Sequence, residues 1–350
     1  MRLAAALLLA SLGALGGCSL GYLAQSVNGH LDLMNRARPV ADVQADPATA
    51  PELRERLLLS QRIHDFAVRE LKLPDNASYR RYADLQRAAA VWNVVAAPEL
   101  SLTLKTWCFP VMGCVGYRGY FDRAQADALD AQLRVEGWEV SVYGVPAYST
   151  LGWTNWMGGD PLLSTFIRWP EGELARLVFH ELAHQVVYVS DDTSFNESFA
   201  SAVERLGGAR WLATQASTQA REAHLAFDAR RRDFRALTLA HRQRLAQLYG
   251  APDTPSAKRA GKAELMRQLH DEYETLKRTR WNGFNGYDGW MAAANNAAFG
   301  VQAAYDELVP QFERLFEREG QDFERWYAAV RRLAALPRDE RRRQLATHSS

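Results

Sequence analysis

The sequence predicts an α+β fold, mostly helical, with a small β-sheet ahead of a helix that carries His180-Glu181-Leu182-Ala183-His184, and a long helical hairpin after it. Three observations carry this expectation. Between residues 90 and 170, short β-like stretches surround one run of helical periodicity. From Leu174 onward, most segments repeat apolar side chains at helical spacing. A break from Gly250 to Pro255 divides a tract rich in Ala, Arg, Gln and Leu into two arms. The 350 residues suffice for one or two domains with a real interior. Hydrophobic residues make up 47% and charged residues 24%, a globular and not a disordered composition. Forty-two Lys and Arg against 41 Asp and Glu leave a formal charge of +1, so no nucleic-acid partner is expected.

The most apolar run lies at the N-terminus. Met1-Arg2 leads into an almost wholly apolar stretch from Leu3 to Leu15, followed by Gly16-Gly17-Cys18. One positive charge, a short apolar core and small residues before a break form the pattern of an export signal. At about 13 residues the run is too short to cross a ~30 Å hydrocarbon core, so residues 1–17 are expected to be a signal peptide. Leu15-Gly16-Gly17-Cys18 resembles the bacterial lipobox, in which the cysteine is acylated and becomes the new N-terminus. That resemblance implies lipidation at Cys18 and a membrane partner through the lipid. With Ser19 next, it implies the bacterial cell envelope, at the outer membrane facing the periplasm. Ordinary secretory cleavage, with Cys18 a bystander, is the competing reading. Cys108 and Cys114 enclose the turn-forming Pro110 and Gly113, and in an oxidising compartment they are expected to close a local disulfide. Two reduced, buried thiols are the alternative.

Residues 18–89 read as an N-terminal helical segment. Its clearest helix runs from Pro51 to Leu71, with Leu53, Leu57, Leu58, Ile63, Phe66, Val68 and Leu71 in an amphipathic pattern. Residues 90–210 combine a sheet with the helices of the candidate site. Val91 to Val95, Leu102 to Trp107 and Val115 to Phe121 read as strands, and Arg123 to Val135 as a helix ending near Gly137. Trp138 to Val145 alternates like a strand, and Leu162 to Trp169 reads as another. Leu174 to Val189 is a predicted helix, and Asn196 to Leu206 a second, closed by Gly207-Gly208. Residues 211–280 form the hairpin, whose first arm can reach roughly 55 Å at 1.5 Å per residue. In 281–337, a loop from Trp281 to Trp290 precedes helices over Gln302 to Leu315 and Phe323 to Leu336, the latter stopped by Pro337. The charged residues 338–350 are expected to be a disordered tail.

Chemistry concentrates in the pentad. A spacing of four places His180 and His184 on one helical face a turn apart, where both imidazoles can bind a single Zn²⁺. Glu181 lies beside them and can reach a metal-bound water without being a ligand. Leu174, Leu177, Val178, Leu182 and Val186 supply apolar support for the same helix. A pair of structural or surface histidines is the bland reading. A catalytic zinc needs a third protein ligand, and Glu197 at the start of the next helix is the candidate. Ser194-x-x-Glu197 also matches a capping box, in which Glu197 would only secure the helix start. Glu204, seven residues on, is a backup ligand or an acceptor that orients His180 or His184. The other histidines are assigned no role.

The pentad followed by Asn196-Glu197-Ser198-Phe199-Ala200 resembles the gluzincin metallopeptidases, which pair H-E-x-x-H with a downstream N-E-x-x-A or N-E-x-x-S helix. Nearly all of the mature chain is similar to a family of predicted bacterial zinc aminopeptidases with a lipoprotein signal. Gly21-Tyr22-Leu23-Ala24-Gln25-Ser26, Gly116-Tyr117-Arg118-Gly119-Tyr120-Phe121, Tyr148-Ser149-Thr150-Leu151-Gly152-Trp153, Asp160-Pro161-Leu162-Leu163 and Asn295-Asn296-Ala297 carry that similarity. It implies a gluzincin-like fold, one Zn²⁺ per chain on His180, His184 and Glu197, and Glu181 as general base. The best-known gluzincin aminopeptidases space the third ligand further from the second histidine, and their Gly-x-Met-x-Asn element is absent here. Exopeptidase and endopeptidase action both stay open.

In this reading zinc brings the pKa of its bound water toward ~7, and Glu181 moves the proton from water to the leaving amine of a peptide substrate. Tyr148, Tyr117, Arg118 and Tyr287 are candidate donors to the oxyanion, and each is equally readable as a packing or surface residue. Strands near Tyr148 to Leu151 can pair with an extended peptide. Asp160 reads first as a turn residue beside Pro161, and binding of a free substrate amine is the lesser alternative. Cell-wall peptides and protein chains are both compatible substrates. The alternative from another class is a non-catalytic envelope scaffold or assembly lipoprotein, with a structural or vestigial zinc site and a protein partner on the hairpin.

Overall fold

The structure, a computed structural model, describes residues 21–109, 113–148, 158–190, 192–306 and 308–347. The expected signal peptide and Cys18 lie outside the described residues, as does the segment beyond Tyr148 expected to pair with peptide. The fold is α+β and mostly helical.

Helix α1 (21–36) leads into β1 (Arg38–Pro39), α2 (Val40–Ala45) and α3 (Pro51–Leu71). Proline at the first turn of α3 costs no hydrogen bond, and Lys72 ends the helix in the left-handed region at φ 56°. Leu57, Ile63, Phe66 and Leu71 are buried, as the amphipathic pattern requires, while Leu58 points outward. Strand β2 (Arg81–Ala83) sits between β1, antiparallel, and β8 (Leu162–Leu163), parallel. The longer strand expected over Leu162 to Trp169 is therefore a correction. After Leu163 the amides of Phe166 and Ile167 both turn back to its carbonyl, which drives those two side chains into the core.

The main sheet has the order β6-β3-β7, with β3 (Val91–Pro98) central between β6 (Arg118–Tyr120) and β7 (Trp138–Val145), all antiparallel. Alternation sends Val94 and Ala96 to one face and Val95 and Ala97 to the other. The first face is covered by α4 (Arg123–Val135) through Ala126, Leu129 and Leu133, and Asp122 caps that helix by accepting from the Ala124 amide at 2.9 Å. The second face meets Ala297 of α10 (Asn296–Asp306). The strand expected from Leu102 begins only at Trp107. There β4 (Trp107–Phe109) and β5 (Gly113–Val115) form a separate hairpin, with Cys108 and Cys114 opposite each other and joined by a disulfide.

The centre of the molecule is the pair α5 (Glu171–Ala183) and α6 (Thr193–Thr214). α5 ends earlier than expected: from Gln185 the amides bond three residues back, and the Asn196 side chain holds both the N–H and the C=O of Val189 at 2.9 and 2.8 Å. α6 does not stop at Gly207-Gly208. A Cβ on Gly207 would stand 2.6 Å from Leu71 and 3.0 Å from Phe179, and one on Gly208 would stand 2.7 Å from the Arg176 stem. These glycines permit close helix packing and do not terminate the helix. Trp211 accordingly belongs to α6, and the hairpin is α7 (Thr218–Gly250) with α8 (Pro255–Thr279).

Short α9 (Asp288–Ala292) lies in the aromatic segment, and α11 (Val309–Arg318) and α12 (Phe323–Ala334) complete the core against α6 through Phe312 and Trp326. The expected disordered tail is a further correction, because 338–347 form α13 (Arg338–Thr347). Its Leu345 is fully buried, and Arg341 and Arg342 both pair with Asp192, the N-cap of α6. Two cations meeting one buried carboxylate explain why so charged a segment is ordered. Among the described residues no helix is long and apolar enough to cross a membrane.

Two stability measurements test this packing. Gly207→Ala should lower the unfolding free energy by about 1–3 kcal/mol in a urea titration, through overpacking against Leu71 and Phe179; a change near zero would show that the interface can yield. His64 is fully buried in α3, and burial, together with the Arg80 charge, lowers its pKa from 6.5 to about 4. The unfolded chain then binds this proton more readily, so stability is complete above 6.5 and falls as the pH drops towards 4. His64→Gln should remove about 2 kcal/mol of the loss between pH 7 and pH 4.5; equal losses in both proteins would contradict it.

Candidate metal centre

Helix α5 buries Leu174, Ala175, Val178, Phe179, Leu182 and Ala183 completely, which leaves one polar edge facing α6. His180 lies on this edge and His184 caps the helix one turn further. Asp192 supplies the α6 cap by accepting from the Phe195 amide at 3.3 Å, so Glu197 is free of the capping role and points back to the histidines. The Nε2 atoms of His180 and His184 are 3.2 Å apart, and Glu197 Oε2 stands 3.4 Å from the first and 3.7 Å from the second. Two imidazoles and a carboxylate thus aim three donor atoms at one point, a set compatible with a metal ion.

Glu204 takes the other side of His180. Its Oε2 meets His180 Nδ1 at 3.1 Å, while its Oε1 accepts from Arg176 Nε at 2.9 Å and Nη2 at 2.6 Å. Arg176 in turn lies 3.4 Å from Asp228 on α7, which links the hairpin to the site. A carboxylate on Nδ1 holds a proton there, so that the ring in its neutral form turns the Nε2 lone pair to the shared point. Burial raises the Glu204 pKa, but the His180 hydrogen bond and the Arg176 charge outweigh it and hold the carboxyl at about 2. Burial likewise opposes charge on His180, yet Glu197 and Glu204 together push that imidazole well above its ordinary value. Burial holds His184 down at about 4. Arg176 offsets the Glu204 charge, and a proton on His180 or a metal ion among the donors can offset Glu197.

Glu181 is half-buried on α5, and burial raises its pKa to about 7; His180 lowers it, and Glu197 and Asp160 raise it further. Tyr117 and Tyr143 also feel the Glu197 charge. Burial first, then Glu197 among other groups, pushes the Tyr117 hydroxyl far up, and Tyr143 rises to about 12. Both rings pack with Val95 and Ala97 on the sheet face away from α4. Tyr143 is absent from the sequence-derived candidates. Its signal was the alternation of β7, which places it opposite Val140 and Val142, the residues that face α4.

The remaining candidates lie elsewhere. Tyr148 packs against Phe121 at 5.0 Å and His30 at 5.8 Å, with Asp160 acting on its hydroxyl. Arg118 stands over the Tyr22 ring at 4.2 Å. Tyr287 stacks on Phe234 at 4.0 Å and lines a cavity of about 380 Å³ that Arg176 and Glu204 also border.

A histidine pair on one helix, a glutamate on the next and a separate carboxyl beside them define a candidate metal-dependent catalytic centre. The family model described as "Putative aminopeptidase" matches residues 21–345, and the chain belongs to that family. No curated protein and no solved structure matches the chain.

Glu204→Gln keeps the shape of the side chain but removes its charge. Metal affinity, measured by competition with a chelator, should fall about 10- to 100-fold while the helical circular dichroism is unchanged. Unaltered affinity would show that Glu204 does not orient His180.

Proposed function

We propose that the protein is a zinc-dependent peptidase of the bacterial cell envelope, anchored by lipid on Cys18. One observation carries the choice of metal. A tetrahedral zinc with ligand bonds of 2.0–2.1 Å sets its donor atoms about 3.3 Å apart, and the donor separations here are 3.2, 3.4 and 3.7 Å. His180, His184 and Glu197 are the protein ligands in this reading. Zinc, when bound, supplies a Lewis acid for the scissile carbonyl and for water.

The chain's own groups do the rest. Glu181 accepts a proton from the attacking water and returns it to the leaving amine; a positive ion beside it acts as His180 does and favours its ionised, basic form. Tyr117 and Tyr143 have pKa values raised by burial, so their hydroxyls stay protonated at neutral pH and can donate to a developing oxyanion. The family membership favours removal of N-terminal residues over internal cleavage.

The test is Glu181→Gln, with zinc stoichiometry measured beside peptide hydrolysis on a library of free and N-acetylated peptides. One zinc per chain should be kept while the rate falls about 10²- to 10⁴-fold. N-acetylated peptides should be the poorer substrates of the unaltered protein. An undiminished rate in Glu181→Gln, or the absence of bound zinc in the unaltered protein, would sink the proposal.

A further inference from the structure

The outward face of α1 differs from the rest of the surface. Leu23, Val27 and Leu31 are 42%, 57% and 45% exposed at a spacing of four residues, and they are three of only eight large apolar side chains left open among the described residues. At 100° per residue they fan over about 80° of the helix, with Tyr22, Gln25 and Gly29 on the other side. That other side is held. Tyr22 packs on Phe109 at 5.2 Å and Tyr120 at 5.5 Å. Gln25 donates to the Gly119 carbonyl and accepts from the Phe121 amide, each at 3.2 Å. Gly29 lies against the Phe121 ring with no room for a Cβ. The helix is locked in rotation, so the apolar stripe cannot turn inward. Charge is absent too: no Asp, Glu, Lys or Arg occurs from Ser19 to Leu31, in a chain that is 24% charged. The first charge, Asp32, is paired with Arg36 at 2.9 Å.

The sequence just ahead of α1 indicates what covers the stripe. Cys18 lies three residues before Gly21, a gap of at most about 10 Å when extended. A helix lying in a membrane interface buries its apolar side roughly 5–10 Å into the headgroup and acyl boundary. We propose that Leu23, Val27 and Leu31 insert into the surface of the bilayer that holds the lipid on Cys18, so that α1 lies along the membrane. This rests on the lipid-anchor reading above. Because the stripe carries no cation, insertion is driven by apolar contact and is insensitive to anionic lipid. Through Tyr22, Gln25 and Gly29 the helix grips the main sheet, and through His30 it touches Tyr148, so contact with lipid sets how the body faces the membrane.

The experiment uses full-length protein acylated in the cell and reconstituted into phosphatidylethanolamine vesicles, with and without phosphatidylglycerol. A spin label is placed at Val27→Cys, at Leu23→Cys, or at the control Val135→Cys, where the native side chain is 90% exposed on α4. With Cys18 acylated and Cys108 bonded to Cys114, the introduced thiol takes the label. Collision with a water-soluble nickel chelate should be about fivefold or more weaker at 23 and 27 than at 135, at either lipid composition. Equal collision at all three positions, in protein that floats with the vesicles, overturns the insertion and leaves the anchor standing. Spin–spin broadening at 27 that survives dilution into excess lipid assigns the stripe to a second copy and also overturns it. Protein that fails to float removes the anchor and the insertion together.

Discussion

Everything at the centre of this protein depends on gathering four titratable groups, the buried His180 and His184 and the half-buried Glu197 and Glu204, at the seam between α5 and α6. Buried charge is costly unless each group finds a partner of opposite sign. Here Arg176 offsets Glu204, and a positive charge among the remaining donors offsets Glu197. The seam can close to that distance because Gly207 and Gly208 present no side chain where α6 meets Leu71, Phe179 and Arg176. Close packing and the chemistry of the site thus have one cause.

The same argument extends outward from the seam. Arg176 passes through the space left by Gly208 to hold Glu204, and Asp228 on α7 meets its other end. The helical hairpin is therefore tied electrostatically to the group that orients His180, and a cavity bordered by Trp169, Phe234 and Tyr287 opens on that side. On the opposite flank, the sheet presents Tyr117 and Tyr143 from the face not used by α4. Asp192 plays a comparable part at the end of α6: as cap and as partner of Arg341 and Arg342, it connects the start of the glutamate-bearing helix to the end of the described chain.

Much of this was legible in the linear sequence where a local rule applied. The four-residue spacing of His180 and His184 dictates one helical face wherever a helix forms, and the neighbouring leucines and valines ensured that it would. Helix α4 and strand β7 match their predicted bounds because alternation and capping are encoded within each segment. The failures share a cause. Gly207-Gly208 reads as a stop until Leu71 and Arg176, distant in sequence, are seen pressing on them. The charged segment after Pro337 reads as disordered until Asp192 supplies its partner. Leu162 to Trp169 reads as a strand until the core draws Phe166 and Ile167 inward.

By itself, then, the sequence determined which residues offer metal-ligand chemistry, the α+β class and most element types, since spacing and periodicity act over a few residues. Only the tertiary structure decided that Glu197 joins the histidines and does not cap its helix. It also decided that Glu204 is turned to His180 Nδ1 and Arg176, and that Tyr143 stands near Glu197. Those outcomes turn on contacts between segments far apart in the chain, where the cost of burying an unpaired charge selects one arrangement among the many that local rules allow.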